Sequence, residues 1–268
     1  MWLELKLYQS FKEDGDMLRI IQNIYEFAFY ILRIDDTTRI VIKTTDVQAA
    51  LFQTIKQAMV DVIEQPPVLE YPISAILRMK KHYALPLLQE VNATLVYKVL
   101  EQVKEEDCML VCSARYHDES YSISRWITSK EHPEYSTYRQ VMSMLLSSEG
   151  AAPKPSSRTS ALIEAARWKL KRKHFHCAIV IGAENKNTVK TILNALPEGL
   201  TIERYVKDEE WSSLQPKKPA IFSSKFCVLS DIELASIASL PESVTELRLE
   251  YGMKKTFASR GREDSADL

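Results

Sequence analysis

Apolar residues in this chain recur with two different periods in turn, and that alternation limits the fold more than any single motif does. Trp2-Leu3-Glu4-Leu5-Lys6-Leu7-Tyr8 alternates apolar and polar positions, the period of a half-buried β-strand. Asp16 stands where an N-cap would, and Ile20, Ile21, Ile24, Phe27 and Ile31 follow at helical spacing, which predicts a helix from Met17 to Ile31. Arg39-Ile40-Val41-Ile42-Lys43 reads as a strand. Thr45-Asp46 then opens a helix through Met59, with Val47, Leu51, Ile55 and Met59 on one face. Val60-Asp61-Val62-Ile63-Glu64 is a further strand, stopped by Pro66-Pro67. This order predicts an α+β fold of small mixed sheets with helices packed on one face, as one layer or as two ferredoxin-like layers.

The rest of the chain repeats the style. Leu85-Pro86-Leu87-Leu88 begins a unit with a helix from Asn92 to Lys104, a charged turn at Glu105-Glu106-Asp107 and a strand from Cys108 to Arg115. A helix is expected from Tyr138 to Leu146. Residues 147–160, rich in Ser, Ala and Pro, read as a linker or mobile loop. It divides an amino-terminal layer with its helix-strand unit, 1–146, from a second α+β unit, 161–251. In the second unit a helix from Ser160 to Lys173 leads into a strand from His176 to Ile181, and Thr188 to Leu196 is a helix stopped at Pro197. Residues 252–268 are charged and poor in apolar side chains, so they are expected to be disordered.

The 35 basic and 36 acidic residues leave a net charge of -1, which argues against binding nucleic acid over the whole surface and leaves room for a local patch. No run approaches the roughly 20 apolar residues of a membrane span. The start lacks the charged-then-apolar layout of a signal peptide, and the chain reads as cytoplasmic. Cys108, Cys112, Cys177 and Cys227 all lie in apolar, strand-like runs and read as buried free thiols.

Motifs for chemistry are scarce. Gly252-Met253-Lys254-Lys255-Thr256 lacks the upstream glycine and the presenting strand of a P-loop. Gly182-Ala183-Glu184-Asn185 resembles a phosphate-binding turn but has one glycine and an acid where the anion would sit, so it reads as a plain β–α turn. Among the histidines, His82, His117, His132, His174 and His176, none shows H-E-x-x-H spacing. His174 and His176 share a face at a strand start; a metal there would need carboxylates or thiols from elsewhere, and a solvated edge is the bland reading. Tyr116-His117-Asp118-Glu119 offers acid/base types of the kind common in loops. No catalytic set, metal site or cofactor is expected. The strongest binding signal is the basic helix 167–176, where Arg167, Trp168, Lys169, Lys171, Arg172 and Lys173 are candidates to hold a polyanion, with Trp168 or Phe175 stacking on bases. The bland alternative is a solvated basic side with Trp168, Leu170 and Phe175 partly buried.

Lys225 to Pro241 reads as a short strand, a Ser N-cap, an acidic helical turn and a Pro stop. Ser230 and Glu233 form a capping box, Asp231 and Glu233 complement the helix dipole, and Pro241 restricts Leu240. This segment is similar to the junction that closes the amino-terminal domain of HerA-FtsK-type DNA-translocating ATPases, including TraG-like conjugative coupling proteins. Tyr83 to Leu88, Glu105 to Asp107, Cys108 to Arg115, Lys171 to Ile181 and Val189 to Leu196 resemble earlier elements of that family, in its order. Relatives often carry His or an aromatic before the terminal Leu-Pro, where this chain has Ala238-Ser239. The resemblance implies a non-enzymatic assembly or docking domain of a DNA-translocation or conjugative-transfer apparatus. It would lack the P-loop motor and pair with a ring ATPase through Ile232, Leu234, Ile237 and Leu240. Such a domain would be oligomeric and peripheral to a membrane secretion complex. The other reading is a stand-alone nucleic-acid-binding α+β module that uses the basic helix on DNA.

Overall fold

A computed structural model of the chain describes residues 1–7, 16–35, 37–56, 58–64, 70–87, 93–103, 106–132, 156–207, 209–210 and 227–241. The strands are β1 (Trp2–Leu7), β2 (Glu26–Ile34), β3 (Thr37–Thr44), β4 (Ala58–Ile63), β5 (Glu70–Tyr71), β6 (Ile73–Met79), β7 (Cys108–Tyr116), β8 (His174–Ala183), β9 (Leu200–Val206), β10 (Glu209–Glu210) and β11 (Cys227–Ser230). The helices are α1 (Asp16–Asn23), α2 (Asp46–Phe52), α3 (Ala93–Gln102), α4 (Ser120–Glu131), α5 (Ser157–Leu170), α6 (Lys186–Ala195) and α7 (Asp231–Ile237).

The fold is α+β, but it is built on one large sheet rather than on small mixed sheets or ferredoxin-like layers. Nine strands lie in the order β4-β1-β3-β2-β7-β8-β6-β9, with β11 as a further partner of β8. Every pairing in this sheet is antiparallel. The outer edge of β8 is shared, with β11 alongside His174–Cys177 and β6 alongside Val180–Ala183. Strands from both sides of the expected linker therefore belong to one sheet, joined where β7 pairs with β8 along its whole length. Residues 156–160 already form the cap and first turn of α5, where the Ser156 hydroxyl accepts the Thr159 N–H. The rest of that stretch, the helix expected over 138–146 and the tail 252–268 lie outside the described residues.

Period two sorts the strands into two faces. Leu3, Phe29, Ile42, Leu110, Phe175 and Ile181 lie on the face that carries the main core. Helices α1, α2, α3, α6 and α7 cover it through Ile21, Phe52, Tyr97, Ile192 and Leu234. The opposite face carries a smaller buried cluster of Tyr30, Leu32, Val41, Met109, Val111 and Val180. Helices α4 and α5 pack on each other through Ile123, Ile127, Ile163 and Ala166, and enclose Ala84 and Leu85.

The expected helix over 17–31 stops at Asn23, and Phe27-Ala28-Phe29-Tyr30-Ile31-Leu32 is the centre of β2, between β3 and β7. A strand buried on both faces is apolar at every position, and periodicity alone does not separate it from a buried helix. Similarly, α2 ends at Phe52, and Met59 belongs to β4. Strands β6 and β9 and helix α4 are additions to the sequence reading. All four cysteines are free, and burial pushes the Cys108 and Cys227 thiols up to about 12. No helix among the described residues is long and apolar enough to cross a membrane.

Candidate functional site

At the end of β11 the chain turns into α7 through the capping box. The Glu233 N–H donates to the Ser230 hydroxyl at 3.4 Å, and the Ser230 N–H donates to Glu233 Oε2 at 2.7 Å. The carboxylate does more than cap. Its Oε1 accepts the Leu87 N–H at 2.6 Å, and Lys169 Nζ lies 3.1 Å from Oε2. Lys169 is fully buried and also donates to the carbonyls of Val228 at 2.6 Å and Leu85 at 3.3 Å. Each of its three ammonium protons thus has an acceptor, which is the condition for keeping a charge out of water. The pair ties α5, the loop at Leu87, β11 and α7 together.

This arrangement corrects the reading of the basic run. Helix α5 ends at Leu170 and β8 begins at His174, so residues 167–176 are the end of a helix, a turn and the start of a strand. Lys169 faces inward and offers nothing to a polyanion. Lys173 donates to the carbonyls of Gln22 at 3.1 Å and Ile24 at 2.8 Å. Its ammonium also sits 5.0 Å from the Tyr25 ring, 4.9 Å from Tyr116 and 5.3 Å from Phe175, an aromatic cage inside the chain itself. Burial lowers its pKa. Arg167 pairs with Glu131. Phe175 is in the core and stacks on no external base. What reaches the surface is Arg167, paired with Glu131 yet exposed, Trp168, 39% exposed, with the Arg172 guanidinium 5.2 Å over its ring, and Lys171, exposed beside them in sequence.

The expected docking residues are also redistributed. Leu234, Ile237 and Leu240 are buried in the main core. The cap fixes where α7 starts, and helical spacing then lays Leu234 and Ile237 onto the sheet, with Leu240 buried just past the helix end. Ile232 alone of the four is only half-buried.

The turn after β8 behaves as a plain β–α turn. Asn185 caps α6 by accepting the N–H groups of Asn187 at 2.8 Å and Thr188 at 3.0 Å. Glu106 accepts from Asn185 Nδ2 at 2.7 Å and from the Thr188 hydroxyl at 2.6 Å. The place where an anion would bind holds the chain's own carboxylate.

The histidine and acid segments set aside in the sequence do meet. His176 Nε2 lies 2.7 Å from Glu119 Oε1, and His117 Nδ1 lies 3.3 Å from the same oxygen. Glu119 is therefore the carboxylate that sequence reasoning lacked for His176. The hydrogen bond from His176 is the chief cause holding the Glu119 carboxyl below its usual range. His174 is buried, its Nε2 3.0 Å from the Lys169 carbonyl, and burial lowers its pKa. Comparison with models of known protein families gave no match, and neither did comparison with curated proteins.

Proposed function

We propose that the chain is a non-enzymatic assembly domain of a DNA-translocation or conjugative-transfer apparatus, and that it pairs with a P-loop ring ATPase of HerA-FtsK type. The order of elements ending in the β11–α7 junction supports this reading, and the observation that carries it is how firmly the junction is fixed. A segment that passes load between a domain and a motor must not hinge. Here Glu233 binds Leu87 and Lys169, the Asp231 N–H donates to the Lys173 carbonyl at 2.9 Å, and Gln22 Nε2 of α1 donates to Asp231 Oδ2 at 3.0 Å. Docking then falls to residues the core leaves accessible: Ile232, Arg167, Trp168, Lys171 and Arg172.

The test is co-purification with a P-loop ATPase encoded beside the chain, comparing wild type with Ile232→Ser and with Lys171→Glu/Arg172→Glu. Truncation before Lys225 is unsuitable, because it strips β11 and α7 from the core. Loss of the ATPase from folded variants supports the reading, and absence of any recovery by wild type overturns it. The Trp168–Arg172 pair favours a second reading, in which a base stacks on the indole while Lys171 and Arg172 neutralise phosphate. Salt-dependent binding of single-stranded DNA, abolished by the double charge reversal and with no ATPase recovered, would select it.

A further inference from the structure

We propose that His117, Glu119 and His176 form a binding site for one divalent transition-metal ion, of the class that includes Zn²⁺. The ligand atoms these three residues offer all lie within 4.8 Å of one another. They converge because the β7–β8 ladder continues past its last strand residue. Arg115 is opposite His176, and the His117 N–H donates to the His174 carbonyl at 3.1 Å. The chain then turns into α4 with Glu119 at the N-cap, yet the Glu119 carboxylate does not cap the helix. Asp118 Oδ1 takes the Ser120 N–H instead, at 2.9 Å, and Glu119 is turned inward onto the imidazoles. A carboxylate that takes only the Ser122 hydroxyl from the helix and none of its backbone donors, and buries itself against two histidines, is placed for something other than capping.

The distances suit a metal. With metal–nitrogen and metal–oxygen bonds of about 2.1 Å, neighbouring ligand atoms at a tetrahedral centre lie about 3.4 Å apart. The His117–Glu119 separation is 3.3 Å, and the 2.7 Å His176–Glu119 contact must open by about 0.7 Å. Two imidazoles and one carboxylate suit borderline cations such as Zn²⁺, Co²⁺ or Ni²⁺, whereas Ca²⁺ and Mg²⁺ require more oxygen ligands. Glu119 and His176 are buried and His117 is exposed, so the site has two anchored ligands and one at its mouth, with positions left for water.

One feature must change on binding. The His117 and His176 rings stack, 4.2 Å between centroids and 16° from parallel, and in-plane lone pairs of parallel rings do not meet. His117, on the solvent side, has to swing out of the stack to aim Nδ1 at the ion. The proton held between His176 Nε2 and Glu119 gives way to the metal: an imidazolium releases it to solvent, and a neutral ring carries it on Nδ1.

The experiment is calorimetric titration of the full chain, stripped with chelator and desalted, with ZnCl₂ as the probe, and chelator competition to fix the affinity. One Zn²⁺ per chain is expected, weakened at least about tenfold by His117→Ala or Glu119→Gln and unchanged by His132→Ala. Imidazole NMR should show His117 and His176 shifting together with the metal. If Glu119→Gln does not fold, His117→Ala at its exposed position decides. Affinity weaker than about 100 µM, or binding that His117→Ala leaves intact, overturns the proposal.

Discussion

Lys169→Met removes one partner of a buried ion pair and little else, since the methionine keeps most of the aliphatic stem. Glu233 would keep the N–H groups of Leu87 and Ser230 but lose its counter-charge at 0% exposure of the lysine and 6% of the glutamate. Breaking such a pair costs about 3–5 kcal/mol, a large share of the roughly 5–15 kcal/mol that holds a domain together. At about 2–4 °C per kcal/mol, the midpoint of thermal unfolding should drop by roughly 6–20 °C. Urea unfolding followed by tryptophan fluorescence measures the loss directly. Glu233→Gln should cost a similar amount, because an amide nitrogen would face the donor of Leu87 or Ser230 and Lys169 would be left charged. The double variant should cost less than the sum of the singles by at least about 1 kcal/mol, since each single strands the other partner. Lys169→Met within about 1 kcal/mol of wild type at unchanged m-value would show that water reaches the ammonium, and would refute the buried strut. The same reasoning forbids charge reversal at 169 in any binding assay, where unfolding would pass for lost affinity.

Lys173→Met should destabilise by about 1–3 kcal/mol in the same assay through its two lost carbonyl bonds and its ring cage, while Lys171→Met stays within about 0.5 kcal/mol. Gly182→Ala should cost about 1–3 kcal/mol, because an added Cβ would meet Met109 and Tyr71 side-chain atoms at 2.8 Å on the second face of the sheet. Ser230→Ala should cost about 1 kcal/mol through the lost cap. Burial lowers both His82 and His174 from 6.5, so the unfolded chain takes up their protons first as pH falls. Their contribution to stability is complete above 6.5 and is lost as pH drops from there through the folded-state values. Urea midpoints should therefore fall on acidification, less steeply in His82→Phe, and a flat profile down to about pH 5 would refute this.

What was legible in the sequence was what is settled within one turn or one strand. The capping box needs only Ser230 and Glu233, three residues apart, and it forms as the spacing requires. The alternation in β1 needs only its own pleat. β2 was lost because burial on both faces erases the alternation that marks a strand. Lys169 shows a different failure. Ile163 and Ala166 are buried in α5, and Lys169 follows at the same spacing of three, so the period already pointed it inward. Reading the run by its charge hid this, because a lysine is assumed to seek water unless its partner is in view, and Glu233 is 64 residues away. His176 and Glu119 fail for the same reason across 57 residues, their meeting fixed by the β7–β8 register. A buried charge is placed by helical phase and explained only by tertiary pairing. A charged residue that falls in phase with an apolar stripe is therefore better read as a missing partner than as a surface.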